Sequence, residues 1–140
     1  VFNLAHKIYK KNYQFKDLQF IILTPRGTET QIQNLKEKLS EIENPENWNF
    51  VFGDTTEIQK VFNSLGSNYR LNKNFASNQV FLIDKERNLR GRDDDEDLGM
   101  LYGFDSSNYS EINNKMDDDV RILLAEYRLA LKKYNSKREI

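Results

Sequence analysis

Three aspartates alternate at Asp93, Asp95 and Asp97, the spacing at which a calcium loop opens toward its cation. The rest of that pattern is missing. Its sixth position needs glycine and holds Leu98, and its twelfth needs a bidentate glutamate and holds Phe104. The expectation is a solvated acidic loop, with weak, nonspecific divalent binding at Asp93, Asp95 and Asp97 as its alternative chemistry. His6 is the single histidine and there is no cysteine. These residues therefore cannot build a thiolate zinc site, an iron–sulfur centre, a disulfide or a multi-histidine metal site. Any Ser/His/Asp arrangement would have to use His6, which reads as a helix-face residue. Asp84 closes an apolar run before a turn and reads as the cap of that turn. Asp117, Asp118 and Asp119 spread around about one helical turn and do not converge. Arg90-Gly91-Arg92 carries two guanidinium groups that could grip a phosphate or carboxylate, or else protect a sheet edge. No catalytic residue emerges, and catalysis by this chain is not expected.

The chain that carries these groups has 140 residues, a length that predicts a single domain over 1–140. Its 21 basic and 22 acidic residues leave a formal charge of −1, so there is no basic field to hold nucleic acid. With 38% hydrophobic and 12% aromatic residues it can bury a core without a disulfide or metal. Its longest apolar run, Phe20-Ile21-Ile22-Leu23, is far shorter than the ~20 residues of a membrane-spanning helix. It opens on Val1 rather than Met, so targeting information is expected upstream.

The apolar pattern predicts the elements that position these groups. Leu4, Ala5, Ile8 and Tyr9 share a helical face. Leu18 to Thr24 reads as a buried strand, turned by Pro25 and Gly27. Thr28 or Thr30 caps a helix striped by Ile32, Leu35, Leu39 and Ile42, which Asn44-Pro45 breaks. Trp48 to Phe52 reads as a second strand, followed by a short helix capped by Thr55 or Thr56 and ended by Gly66. Residues 67–78 read as loop. Gln79 to Asp84 and Leu89 to Arg92 read as an antiparallel hairpin. Residues 93–109 read as an acidic loop, and 110–134 as a long final helix striped by Ile112, Met116, Val120, Leu123, Leu124, Tyr127 and Leu131. The tail 135–140 is expected to fray. Tyr9, Tyr13, Phe15 and Trp48 read as core. The strand–helix alternation predicts a mostly parallel sheet with helices on both faces and a hairpin at one edge. The acidic loop and the final helix form the surface on which a partner protein is expected.

Three stretches resemble the Sco/SenC family. They are Phe20-Ile21-Ile22-Leu23-Thr24-Pro25 with the helix after it, Trp48-Asn49-Phe50-Val51-Phe52-Gly53, and Val80-Phe81-Leu82-Ile83-Asp84 through Leu89-Arg90-Gly91. The resemblance covers roughly residues 1–92. It implies an α/β, thioredoxin-like fold: a central, mostly parallel sheet with helices on both faces, then a C-terminal hairpin and the long final helix. It implies a bacterial, extracytoplasmic, membrane-anchored protein, periplasmic in location, near copper delivery, thiol redox, electron transport or cytochrome oxidase assembly. The family holds copper with a CxxxC turn and a histidine. The CxxxC turn would precede Val1, and the histidine position, eight residues before Asp84, is Ala76. The expectation is thus a degenerate member with no copper site and no cofactor in this chain. Two alternatives remain open: a non-catalytic partner-binding module on the same scaffold, or a thiol–disulfide oxidoreductase with its cysteines upstream of Val1. The family fold also implies a missing N-terminal strand, which would lie between residues 18–24 and 79–84 and, with the redox turn, would precede Val1.

Overall fold

The computed structural model describes residues 1–138. An opening helix, α1, is continuous through Phe2–Leu4, Ala5–Tyr9 and Lys10–Asn12. Its middle turn is π-wound, because the Lys10 N–H reaches back five residues to the Ala5 carbonyl. Strand β1 (Phe20–Pro25) leads through helix α2 (Glu29–Ser40) to β2 (Trp48–Gly53), which lies parallel to β1 with Phe20 opposite Trp48 and Pro25 opposite Gly53. Helix α3 (Thr55–Ser64) follows. Asp54 precedes it as the cap, and its N–H donates to the Glu57 carboxylate at 3.1 Å. Thr55 and Thr56 lie inside the helix and do not cap it. Thr28 does precede α2, but its hydroxyl donates backward to the Pro25 carbonyl at 2.7 Å.

The second half is a chain of short antiparallel pairs. Strands β3 (Gln79–Val80) and β8 (Phe104–Asp105) pair, as do β4 (Leu82–Ile83) and β5 (Leu89–Arg90). Strands β6 (Arg92–Asp95) and β7 (Gly99–Leu101) form a hairpin with an irregular register. The final helix, α4, is continuous through Tyr109–Glu111, Ile112–Met116 and Asp117–Arg138. Its second turn is also π-wound, and Asn108 caps it through Oδ1 accepting the Glu111 N–H at 3.2 Å. The backbone helix thus continues past the point where fraying was expected, and residues 139–140 lie outside the described residues.

The thioredoxin-like expectation is overturned. The fold is mixed α/β, but its described strands make four two-stranded sheets rather than one central sheet. Among the described strands only β1 and β2 run parallel, and Gln79–Val80 and Leu82–Ile83 belong to other pairs. Among the described residues, 18–24 and 79–84 share no sheet in which a strand could be missing between them. Helices do not cover both faces of β1–β2 either. Phe20, Ile22, Trp48 and Phe50 face the core, while Ile21, 66% exposed, Leu23 and Val51 face outward. The physical reason is a confusion between two kinds of signal. Strand–helix alternation fixes the local elements, whereas the identity of each strand's neighbour depends on contacts remote in sequence.

One core joins the two halves. Leu4, Ala5, Ile8 and Tyr9 of α1 meet Leu39, Trp48, Leu82, Leu101 and Phe104, and Ile112, Met116, Val120 and Leu124 of α4. The rings of Tyr9, Phe20 and Trp48 stand 4.5 to 5.5 Å apart between centroids, tilted or edge-on, as aromatic quadrupoles prefer. The core reading of Tyr9 and Trp48 agrees with this packing, and Tyr13 and Phe15 lie partly buried against it.

Candidate functional site

The chemistry-bearing residues gather where β5, β6 and β7 meet α4. The segment read as loop holds the strands β6, β7 and β8, which turn Asp95, Leu101 and Phe104 inward. Leu101 is buried, while Met100 points outward at 64% exposed. The turn of the hairpin is formed by Glu96, Asp97 and Leu98. Gly91 joins β5 to β6 in a place where a side chain does not fit. A Cβ there would stand 2.3 Å from the Leu101 carbonyl oxygen and 2.8 Å from the Tyr102 Cα.

The two arginines beside Gly91 grip carboxylates of this chain's own final helix. Arg90 donates to both Glu126 oxygens at 3.0 and 2.7 Å and to Asp84 at 3.4 Å. Glu126 and Asp84 push its already high pKa further up. Arg92 donates to both Asp119 oxygens at 3.2 and 2.6 Å and to the Lys115 carbonyl at 3.0 Å. Lys115 completes the clasp, its ammonium donating to Asp95 at 2.9 Å and Asp97 at 3.0 Å. That hydrogen bond to Lys115, with the backbone N–H groups of Leu98 and Asp97, holds the Asp95 carboxyl below its ordinary range.

The three alternating aspartates therefore part company. Asp95 is buried under Lys115, Asp97 shares that ammonium, and the Asp93 carboxylate accepts from the Tyr102 hydroxyl at 2.7 Å. A lysine occupies the position between Asp95 and Asp97. Among the described residues no group of three or more His, Cys, Asp or Glu side chains is placed to hold a metal ion. The chain has no cysteine. His6 is exposed on α1. Ala76 is exposed in the loop, its N–H donating to the Asn72 Oδ1 at 3.1 Å. Asp84 caps its turn: its Oδ1 accepts the Asn88 N–H at 2.9 Å, which is the main reason its pKa is lowered. The consecutive aspartates diverge as helical geometry requires. Asp117 turns inward to Lys11 and Arg121, Asp118 outward, and Asp119 to Arg92.

Beside this clasp lies an open groove of about 480 Å³, lined by Gly66, Ser67, Asn68, Tyr69, Leu89, Met100 and Tyr102. Gly66 takes φ +67° at the end of α3 and turns the chain into one wall. Gly103 lets Tyr69 lie close, since a Cβ there would stand 2.7 Å from the ring, and the Tyr69 hydroxyl donates to the Gly103 carbonyl at 3.3 Å. The hydrogen bond to Asp93 raises the Tyr102 pKa and keeps its hydroxyl a donor. Sequence reasoning missed Lys115, Tyr69, Met100 and Tyr102. The available signal was Met100-Leu101-Tyr102, a short apolar run bounded by Gly99 and Gly103 inside a supposed loop.

No described helix is long and apolar enough to cross a membrane. No family model, curated protein or solved structure matches the chain.

Proposed function

We propose that this chain is a non-catalytic partner-binding module, whose docking surface combines the β6–β7 hairpin with α4. The observation that supports this most is the apolar stripe of α4. Val120 and Leu124 are buried on it. Tyr127 follows, half-buried, its hydroxyl accepting the Lys85 N–H at 2.7 Å. The stripe then continues onto Leu131, two turns beyond Leu124 on the same side yet 51% exposed. Tyr134, three residues beyond Leu131 and 57% exposed, extends the stripe, while Leu129, 60% exposed, lies on the opposite side of the helix. Exposed apolar area of this kind, rimmed by charge, suits a protein partner. In this reading the chain contributes binding rather than metal or thiol chemistry.

A photo-crosslinking residue placed at Tyr134, beside Leu131 on the same side of α4, tests the reading. The identified, purified partner should bind the native chain, and Leu131→Glu should weaken it about tenfold or more with the circular dichroism spectrum unchanged. Binding indifferent to both Leu129→Glu and Leu131→Glu would remove α4 from the interface and sink the proposal.

A further inference from the structure

The groove beside the hairpin has its own chemistry. Its volume of about 480 Å³ falls within the ~300–1,000 Å³ usual for binding clefts. Tyr69, Leu89, Met100 and Tyr102 line it with rings and aliphatic carbon, and the exposed methionine can adapt to more than one shape. The wall formed by residues 66–69 carries no charged side chain. The hairpin rising beside Met100 and Tyr102 is acidic. Lys115 neutralises part of it through Asp95 and Asp97. Asp93, Asp94 and Glu96 remain exposed and, among the described residues, without an ion pair. The Tyr102 hydroxyl ties the Asp93 carboxylate directly to the groove lining. Neighbouring Arg90 and Arg92 are already engaged by Glu126 and Asp119. On the hairpin wall an anionic ligand would meet these carboxylates with both neighbouring guanidinium groups engaged, and the exposed Arg70 follows Tyr69 on the opposite wall.

We infer that this groove takes a single apolar or aromatic side chain from a partner segment flanked by lysine or arginine. The inference rests on the reading of the chain as a partner-binding module and names the chemistry of that partner. The apolar walls supply anchoring by burial. The unpaired acids select basic flanks and speed encounter at low salt.

The probe is an amidated heptapeptide with one phenylalanine between glycines and two lysines at each end, titrated into isotope-labelled protein and followed by backbone amide shifts. Shifts should map to Tyr69, Met100 and Tyr102. Replacing the phenylalanine by alanine should weaken binding about tenfold, as should Met100→Ser, whose site is too exposed to threaten folding. Raising salt from about 50 to about 300 mM should weaken binding several-fold. Equal affinity of the alanine peptide would mean that charge alone binds. Equal affinity of a glutamate-flanked peptide would mean that the acids do not select. Either result, an absence of binding, or self-association abolished by Met100→Ser would overturn the inference. If the peptide fails while the partner captured from residue 134 still depends on Leu131, only the groove's assignment falls. If that dependence is also absent, the partner-binding reading fails as well.

Discussion

Arg92 and Asp119 form a two-point fork across the junction of β6 and α4, with Nη2 donating to Oδ1 at 2.6 Å and Nε to Oδ2 at 3.2 Å. The same Nη2 also donates to the Lys115 carbonyl. Both side chains are at least three-quarters buried, so water competes poorly for the pair. Arg92→Met should cost about 2 kcal/mol, the range for hydrogen bonds to charged groups, and lower the melting temperature by several degrees. Arg92→Lys should restore little, because a point charge cannot reproduce the fork. Denaturant unfolding of the three proteins checks both outcomes, and full rescue by lysine would show that the fork geometry is immaterial.

Lys115 and Asp95 predict a pH signature. The Asp95 pKa is lowered in the folded chain. Its contribution is therefore complete above the unfolded value of about 4 and is lost as pH falls through the folded value. The Lys115 pKa is raised, mainly by Asp95 and Asp97. Its contribution is complete below the unfolded value of about 10.4 and is lost as pH rises through the folded value. Lys115→Met should thus destabilise most between about pH 5 and pH 9, with the gap from the native chain closing below about pH 4 as Asp95 takes up a proton. Melting temperatures across that range test it. A gap that stays constant down to about pH 2 would contradict the pairing.

Gly91→Ala should be the most damaging glycine substitution in the hairpin region. The added Cβ meets main-chain atoms of Leu101 and Tyr102, which cannot rotate away. Overpacking of this kind costs about 1–3 kcal/mol. Gly27→Ala provides the comparison: nothing lies within 4 Å of its Cβ position, but its φ of +93° strains any other residue. Chemical denaturation should rank Gly91→Ala as the worse of the two, with the hairpin amides losing exchange protection first.

Tyr9→Phe should destabilise by about 1–3 kcal/mol although it deletes a single atom. The Tyr9 hydroxyl donates to the Asn44 carbonyl and accepts the Asn47 N–H at 3.2 Å. Asn47 is buried, so the substitution strands a backbone donor away from water. Unfolding free energies in urea decide the point, and a change below about 0.5 kcal/mol would mean that another group has replaced the hydroxyl.

Local features were legible from the residues alone. The hairpin expected between residues 79–84 and 89–92 forms only at its turn, where Leu82–Ile83 pairs with Leu89–Arg90 and Asp84 accepts the Asn88 N–H, while Gln79–Val80 pairs with β8 and Arg92 with β7. The final helix reads correctly because its buried stripe repeats every three or four residues from Ile112 to Leu124. The hairpin of β6 and β7 was not legible. Its acidic strand looks like a solvated loop until Lys115, twenty residues beyond Asp95, neutralises it. The candidate site was half legible. Arg90, Arg92 and the aspartates stood out by type, but their partners Glu126, Asp119 and Lys115 belong to a helix that only folding brings near.

Sequence alone determined the periodicities: which segments could be helix or strand, which side of each was apolar, and that no cysteine or histidine cluster could form. These properties are local, set by the 3.6-residue and two-residue repeats of the backbone. Tertiary structure decided that β1 and β2 pair only with each other, that β3 pairs with β8, that the acids of the hairpin close on Lys115, and that Leu131 stays in solvent. Those outcomes depend on which surfaces meet. Meeting is settled by core volume and charge partners distributed over the whole chain, and no short window of residues contains that information.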